Sequence, residues 1–283
     1  MTVMKIAALQ MVSTPDLARN LASARDLMAQ AARAGASLVA LPEYFCLMGQ
    51  KDTDKLAFAE DEGSGPIQSM LAEAAREFKL WVIGGTLPMR TPDPQRVRNS
   101  CCVFSPVGQQ VARYDKIHLF HYDNGRERYD EARVLEAGRT PVVADAAGLR
   151  VGLSICYDLR FPELYRAMSP CELLSVPSAF TYTTGEKHWE LLLRARAIEN
   201  QSYVIAAAQG GLHENGRRTW GHSMIVDPWG EVLACVAEGE GVALAELDPQ
   251  RLKQVREQLP ALQHRVIQSP FSSGRPSDRA APR

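Results

Sequence analysis

Short apolar runs alternate with amphipathic helical segments along most of the chain, and this alternation restricts it to β-sheets with helices packed outside them. Residues 5–11 read as a strand. Residues 16–34 follow as a helix closed by Gly35, with Leu17, Leu21, Leu27 and Ala31 on one face. Residues 37–41 are the next strand, 66–78 a second helix and 80–86 a third strand. The rhythm then changes: residues 97–104 and 109–114 flank Pro106-Val107-Gly108 and read as a β-hairpin. Beyond a charged loop come strands at 151–155 and 173–176, a long helix at 184–200 and a strand at 203–209. Residues 222–227 and 231–236 flank Pro228-Trp229-Gly230 as a second hairpin, and a strand at 242–246 precedes a helix starting near Pro249. Neither a solenoid period nor a linker interrupts this order, so residues 1–268 are expected to form one α+β domain, with a mixed sheet or two packed sheets. Residues 269–283, rich in Ser, Pro, Arg and Ala, are expected to be a flexible tail.

Composition narrows the function classes. With 283 residues, 46% of them hydrophobic, the chain can bury a sizeable core. A formal net charge of −1 and the lack of any long Lys/Arg run give no electrostatic footprint for nucleic acid or an acidic membrane, so a small-molecule partner is expected. The N-terminal residues carry no apolar signal-peptide region, and no apolar run approaches the roughly 18 residues of a spanning helix; a cytoplasmic location is expected. Cys46, Cys101, Cys102, Cys156, Cys171 and Cys235 show neither zinc-site spacing nor disulfide density, which fits free thiols in a reducing compartment. His118 and His222 are isolated and lack ligand spacing, so both are expected to be structural and no metal is expected.

The stretch richest in chemistry is Gly152-Leu153-Ser154-Ile155-Cys156-Tyr157-Asp158-Leu159-Arg160-Phe161-Pro162-Glu163. A buried strand runs here into a thiol, and Pro162 with Glu163 favours a first helical turn. Cys156 therefore sits on a bend, near backbone N–H groups expected to favour its thiolate. Glu43 follows the apolar run Leu38-Val39-Ala40-Leu41 at a strand's carboxyl end, where open α/β sheets carry ligands. A carboxylate within reach of a thiol takes its proton and returns it to a leaving amine, provided burial lifts its pKa toward neutrality. Lys116 and the backbone N–H of Tyr157 are candidates to stabilise a developing oxyanion. A second carboxylate would keep that lysine charged: Glu131 is the choice, with Glu127 and Glu136 as competitors. Arg160, Arg194 and Arg196 are candidate partners of a substrate carboxylate, although the Arg-x-Arg-x-x-Glu spacing equally suits an ion-paired helix face. Phe180, Thr181 and Thr184, after the next strand end, are candidates for the pocket wall, and Tyr157 is a further substrate-binding candidate.

Leu41-Pro42-Glu43, Tyr114-Asp115-Lys116-Ile117-His118-Leu119-Phe120 and Cys156-Tyr157-Asp158-Leu159-Arg160-Phe161-Pro162-Glu163 occur in an order that resembles the nitrilase (carbon–nitrogen hydrolase) superfamily. The likeness continues through Arg194-Ala195-Arg196-Ala197-Ile198-Glu199-Asn200 and Gly221-His222-Ser223 to Asp227-Pro228-Trp229-Gly230. It implies a four-layer αββα sandwich, a homodimer or larger homo-oligomer, no cofactor, and a catalytic Glu-Lys-Glu-Cys set that matches Glu43, Lys116, Glu131 and Cys156. Cys-Tyr-Asp-x-Arg-Phe is similar to the branch that hydrolyses deaminated glutathione or 2-oxo dicarboxylic acid monoamides. Thr184-Gly185, His188-Trp189-Glu190, the Gln209 region and Gln263-His264-Arg265 lean toward the former. Two departures stand out: the loop after Phe120 looks shorter than the family's acidic one, and the tail lacks its Asp-Leu-Tyr ending. The resemblance implies a thiol-dependent amidase that forms a thioester and releases ammonia from a small carboxylate-bearing amide. The alternatives are an omega-amidase or an N-carbamoyl amidohydrolase. In a different class stands a catalytically silent binding protein of the same fold, which would ordinarily have lost Cys156, Glu43 or Lys116.

Overall fold

Alternate residues of the first strand, Met4–Gln10, lie in different cores, and this period of two generates the layers. Ile6 and Ala8, with Leu38 and Ala40, join Val151, Leu153 and Ile205 in the core between two sheets. Ala7 and Leu9, with Val39 and Leu41, meet Leu27, Met28 and Leu71 beneath helices α1 (Leu17–Arg33) and α2 (Pro66–Phe78). Helices α3 (Pro162–Met168) and α4 (Tyr182–Asn200) cover the second sheet through Leu164, Trp189 and Leu193. Helix α5 (Pro249–Gln258) is the last helix among the described residues, and the layers stack as a four-layer αββα sandwich in one domain. The computed structural model describes residues 2–267, so the expected tail at 269–283 lies outside the described residues.

The first sheet runs Gly241–Leu247, Met4–Gln10, Ala36–Ala40, Trp81–Ile83, Val97–Phe104, Leu87–Arg90, with Gln110–Asp115 also pairing to Val97–Phe104. The second runs Val232–Val236, Ser223–Val226, Tyr203–Ala206, Leu173–Ser175, Leu149–Leu153, Val142–Ala146. Three neighbouring strands are parallel in each: Met4–Gln10, Ala36–Ala40 and Trp81–Ile83 in one, Leu149–Leu153, Leu173–Ser175 and Tyr203–Ala206 in the other. Glu43, Cys156, Ala179 and Gln209 emerge beyond the carboxyl ends of these strands, and Ala179 and Gln209 of the second sheet both hydrogen-bond Glu43 of the first.

Several expected boundaries shift. The strand expected at 80–86 stops at Ile83, because Gly84 and Gly85 turn the chain before a separate strand, Leu87–Arg90. The strand expected at 203–209 is regular only to Ala206. The charged loop after Phe120 contains a hairpin, His121–Asp123 with Arg128–Asp130, which delivers Glu131 at the start of a 3₁₀ turn. A further hairpin, Gly210–Leu212 with Arg218–Trp220, was not anticipated; its strands have three residues each, one of them with two glycines, too few side chains to show an alternating pattern.

Gly85 has a specific job. Its φ is +54°, and a Cβ there would stand 2.2 Å from the Pro42 carbonyl oxygen and 3.0 Å from Leu41, the residues that lead into Glu43. Gly85→Ala should therefore lower stability by about 1–3 kcal/mol, read as a melting temperature several degrees below wild type. An unchanged melting temperature would show that the Pro42 turn yields without cost.

Candidate active site

Lys116 follows the strand Gln110–Asp115 and its ammonium has no solvent exposure. A charge so placed must be paired. Its Nζ donates to Glu43 Oε1 at 2.8 Å and to Glu131 at 2.8 Å (Oε2) and 3.0 Å (Oε1). Each carboxylate is held independently. Glu43 also accepts from Asn99 Nδ2 at 2.8 Å and from the Ala179 N–H at 3.0 Å. Glu131 accepts from the Tyr44 hydroxyl at 2.8 Å and the Phe120 N–H at 2.7 Å. The backbone carbonyl of Glu43 in turn accepts from Gln209 Nε2 at 3.1 Å. Of the three glutamates left open by the sequence, Glu127 instead accepts from Thr183 near the surface and Glu136 pairs with Arg98.

Burial works against a charged Lys116, but Glu131 and Glu43 more than offset it and hold its pKa well above the ordinary lysine range. Burial likewise opposes ionisation of Glu131, yet the Lys116 charge and the hydrogen bonds from Lys116, Phe120 and Tyr44 hold its carboxyl below the usual range. The thiol behaves differently from the expectation. Cys156 lies beside this cluster, 7% exposed, and burial followed by the Glu43 charge pushes its pKa well up against the opposing pull of Lys116. A backbone bend alone does not make a thiolate when a carboxylate faces the sulfur. The resting nucleophile candidate is thus a neutral thiol next to a base.

Cys156 sits at φ +50°, in the left-handed region that costs a non-glycine residue free energy. The 3₁₀ turn Cys156–Arg160 is clamped at both ends. Asp158, fully buried, accepts from the Ile155 N–H at 2.9 Å and the Tyr114 hydroxyl at 2.7 Å through Oδ2. Its Oδ1 accepts from the His118 N–H at 3.0 Å and faces His118 Nδ1 at 2.7 Å. One carboxylate therefore ties the residue before Cys156 to residues on both sides of Lys116. The Leu159 carbonyl accepts from Arg196 at 3.1 and 2.7 Å, so Arg196 is a strut of this turn, paired also with Glu199. Arg194 bonds the Gly230 carbonyl and Glu190, away from the cleft. His118 stacks on Phe161, and His222 on Trp220, in structural roles. The N–H of Tyr157 finds no acceptor among the described residues.

Cys156, Glu43 and Glu131 open onto a slot lined by Tyr44, Phe120, Arg160, Phe180, Thr181, Thr184 and Arg217, among others, with free space of about 20 Å³. That is room for about one water molecule. The three wall candidates Phe180, Thr181 and Thr184 line this slot, as does Arg160, the candidate partner of a substrate carboxylate. Tyr157 is not on the lining: its ring packs edge-on to Phe120 and Phe161, with Arg160 above it. Asn99, Tyr44, Asp158 and Arg217 were missed as site residues. Asn99 carried a signal, a polar residue in the buried strand Val97–Phe104; Arg217 carried none. A larger hollow of about 430 Å³ lined by Arg98, Arg113, Asp115, Glu136 and Arg139 holds no nucleophile, and its Arg98 and Arg113 pair with its own carboxylates. Among the described residues no His, Cys, Asp and Glu side chains gather as a metal site, and no helix is long and apolar enough to cross a membrane.

The Asp158 clamp is open to test. Asp158→Asn turns one acceptor into a donor facing a donor, which costs about 1–3 kcal/mol and lets the thiol and ammonium drift apart. A displacement near 1 Å lowers kcat by as much as about 100-fold, so kcat is expected to fall with KM largely kept. Wild-type kcat in a variant of lowered melting temperature would limit Asp158 to stability.

Residues 5–257 match the carbon–nitrogen hydrolase family. The chain is 46% identical over 268 residues to a deaminated glutathione amidase of Synechocystis, covering 92% of this chain and 97% of that one. To the chloroplastic omega-amidase of Arabidopsis thaliana it is 40% identical over 266 residues, covering 92% and 72%. The solved structure of Saccharomyces cerevisiae Nit3, a member of branch 10 of the nitrilase superfamily, superposes with a TM-score of 0.84 at 31% identity, covering 94% of this chain and 97% of that one. The αββα sandwich, the match across nearly the whole chain and these relatives together make the protein a member of the carbon–nitrogen hydrolase family.

Proposed function

We propose that this amidase works through a thioester on Cys156, with Glu43 as general base and acid, Lys116 and the Tyr157 N–H as oxyanion donors, and Glu131 as the group that keeps Lys116 charged and oriented. The observation that carries this reading is the buried Lys116 ammonium, bonded to both glutamates beside a thiol whose ionisation is suppressed. Glu43 takes the thiol proton as Sγ attacks the amide carbonyl carbon. The oxyanion develops against Lys116 Nζ and the Tyr157 N–H, and collapse breaks the C–N bond as Glu43 returns the proton to the leaving nitrogen. A water then gives a proton to Glu43 and attacks the thioester. The second tetrahedral species collapses to the free acid, and the sulfur regains its proton. Nothing in this cycle calls for a metal or an organic cofactor.

For the substrate, we take an amide resembling deaminated glutathione, supported by the relatives of that name and by a cleft bearing two guanidinium groups. Deaminated glutathione has substituted amide nitrogens, so its hydrolysis releases an amine; ammonia, the leaving group expected from the sequence, belongs to primary amides. The omega-amidase relative supports a second reading, a 2-oxo dicarboxylic acid monoamide. Six free cysteines suit a reducing, cytoplasmic setting. Exposed Leu191 and Ile198 on α4, with Trp229 also exposed, support a homodimer.

Cys156→Ala should abolish turnover and leave the melting temperature within a few degrees of wild type. Lys116→Ala and Glu43→Ala should each lower kcat by about 100-fold or more. Glu131 and Glu43 raise the lysine's pKa, so Glu131→Gln lets Lys116 lose its proton at a lower pH. The alkaline limb of the kcat profile should move down in pH. Turnover retained by Cys156→Ala would point to the silent binding protein, with another agent doing the chemistry.

A further inference from the structure

Other guanidinium groups are neutralised within the protein: Arg196, which braces the Cys156 turn, by Glu199, Arg194 by Glu190, and Arg98 and Arg113 of the larger hollow by Asp115. Arg160 and Arg217 line the slot and are half-buried, yet neither is ion-paired with a carboxylate among the described residues. They stand on different walls. Arg160 lies 5.3 Å over the Phe180 ring, with Nη1 3.2 Å from His188 Nδ1. Arg217 lies 5.1 Å over the Tyr129 ring, and its charge is felt at Tyr44 and Lys55.

The hairpin that carries Arg217 is pinned in place. Buried His213 spans from the Ser13 carbonyl (2.9 Å) to the Thr219 hydroxyl (2.8 Å), Asn215 Nδ2 donates to the Gly49 carbonyl at 2.7 Å, and the Arg217 N–H donates to Asn215 Oδ1 at 3.0 Å. The Arg217 backbone is thus ordered before any ligand arrives, which reduces what binding must spend on ordering it. An unpaired guanidinium on an aromatic face is fit to receive a planar carboxylate through two parallel N–H bonds. Because the slot holds about one water, most of a larger substrate must lie outside it, within reach of Arg160 and Arg217, which line the slot and keep part of their surface exposed.

We propose that Arg217 is a specificity residue that binds a second substrate carboxylate while Arg160 binds the first, so that the cleft selects amides bearing two carboxylates over amides bearing one. This rests on the amidase reading above and deepens it. The probes are deaminated glutathione, with two carboxylates, and the monoamide of 2-oxoglutarate, with one.

Losing a charged hydrogen-bond pair changes affinity by about 10- to 100-fold. Arg217→Gln should therefore raise KM for deaminated glutathione about tenfold more than for the monoamide, with kcat little changed. Arg217→Lys should recover part of that difference, and Arg160→Gln should weaken both substrates. An equal effect of Arg217→Gln on both, or none on either, overturns the proposal. Protection of Cys156 from iodoacetamide by each probe, in a Cys235→Ser background that removes the exposed thiol, gives a readout that needs no turnover. If wild type hydrolyses neither probe, the substrate reading fails. Protection still decides Arg217: a loss confined to the two-carboxylate probe supports the proposal, and identical protection in wild type and variant refutes it.

Discussion

A fully buried ammonium between two carboxylates is the constraint on which the site depends. Lys116 cannot be left without partners: removing one member of a buried ion pair costs about 3–5 kcal/mol. Its partners come from distant parts of the chain, Glu43 after the strand Ala36–Ala40 and Glu131 after the surface hairpin. The sandwich must therefore bring three segments into register before that charge can be buried at all. The extra donors on each carboxylate, Asn99 and Ala179 on one, Tyr44 and Phe120 on the other, limit the reorganisation left for the reaction.

The same cluster determines the state of the proposed nucleophile. Cys156 is close to a positive charge, yet burial and Glu43 outweigh it and the thiol stays protonated. In the proposed mechanism this arrangement couples attack to proton transfer, and it keeps a thiolate, with its oxidation chemistry, scarce at rest. The left-handed backbone at Cys156 is tolerable because Asp158, the Pro177 carbonyl accepting from the Cys156 N–H, and Arg196 fasten the turn from separate directions.

Beyond this centre the cleft is asymmetric in kind. Its inner part is crowded with paired charges, whereas its rim carries two guanidinium groups held on aromatic faces. On the reading proposed above, chemistry common to the family stays in the inner part while selectivity is adjusted on the hairpin and on the turn that carries Cys156 and Arg160.

Local pattern alone determined much of the layering. Helix α2 begins and ends as its Pro66 start and apolar face predict, and the strand Val97–Phe104 has its expected bounds, because burial on one face or both writes a period into the residues. Cys156, Glu43 and Lys116 stood out because each follows an apolar run or sits in a motif whose order resembles a known family. Tertiary structure decided what sequence spacing cannot encode. It brought Glu131 rather than Glu127 or Glu136 to Lys116, set the protonation of Cys156, turned Arg196 into a strut, kept the Tyr157 ring off the slot lining, and brought Arg217 to the slot from a hairpin with no periodic signal. The reason is physical: burial and pairing of charge depend on distances between segments far apart in the chain, and those distances exist only once the two sheets have packed.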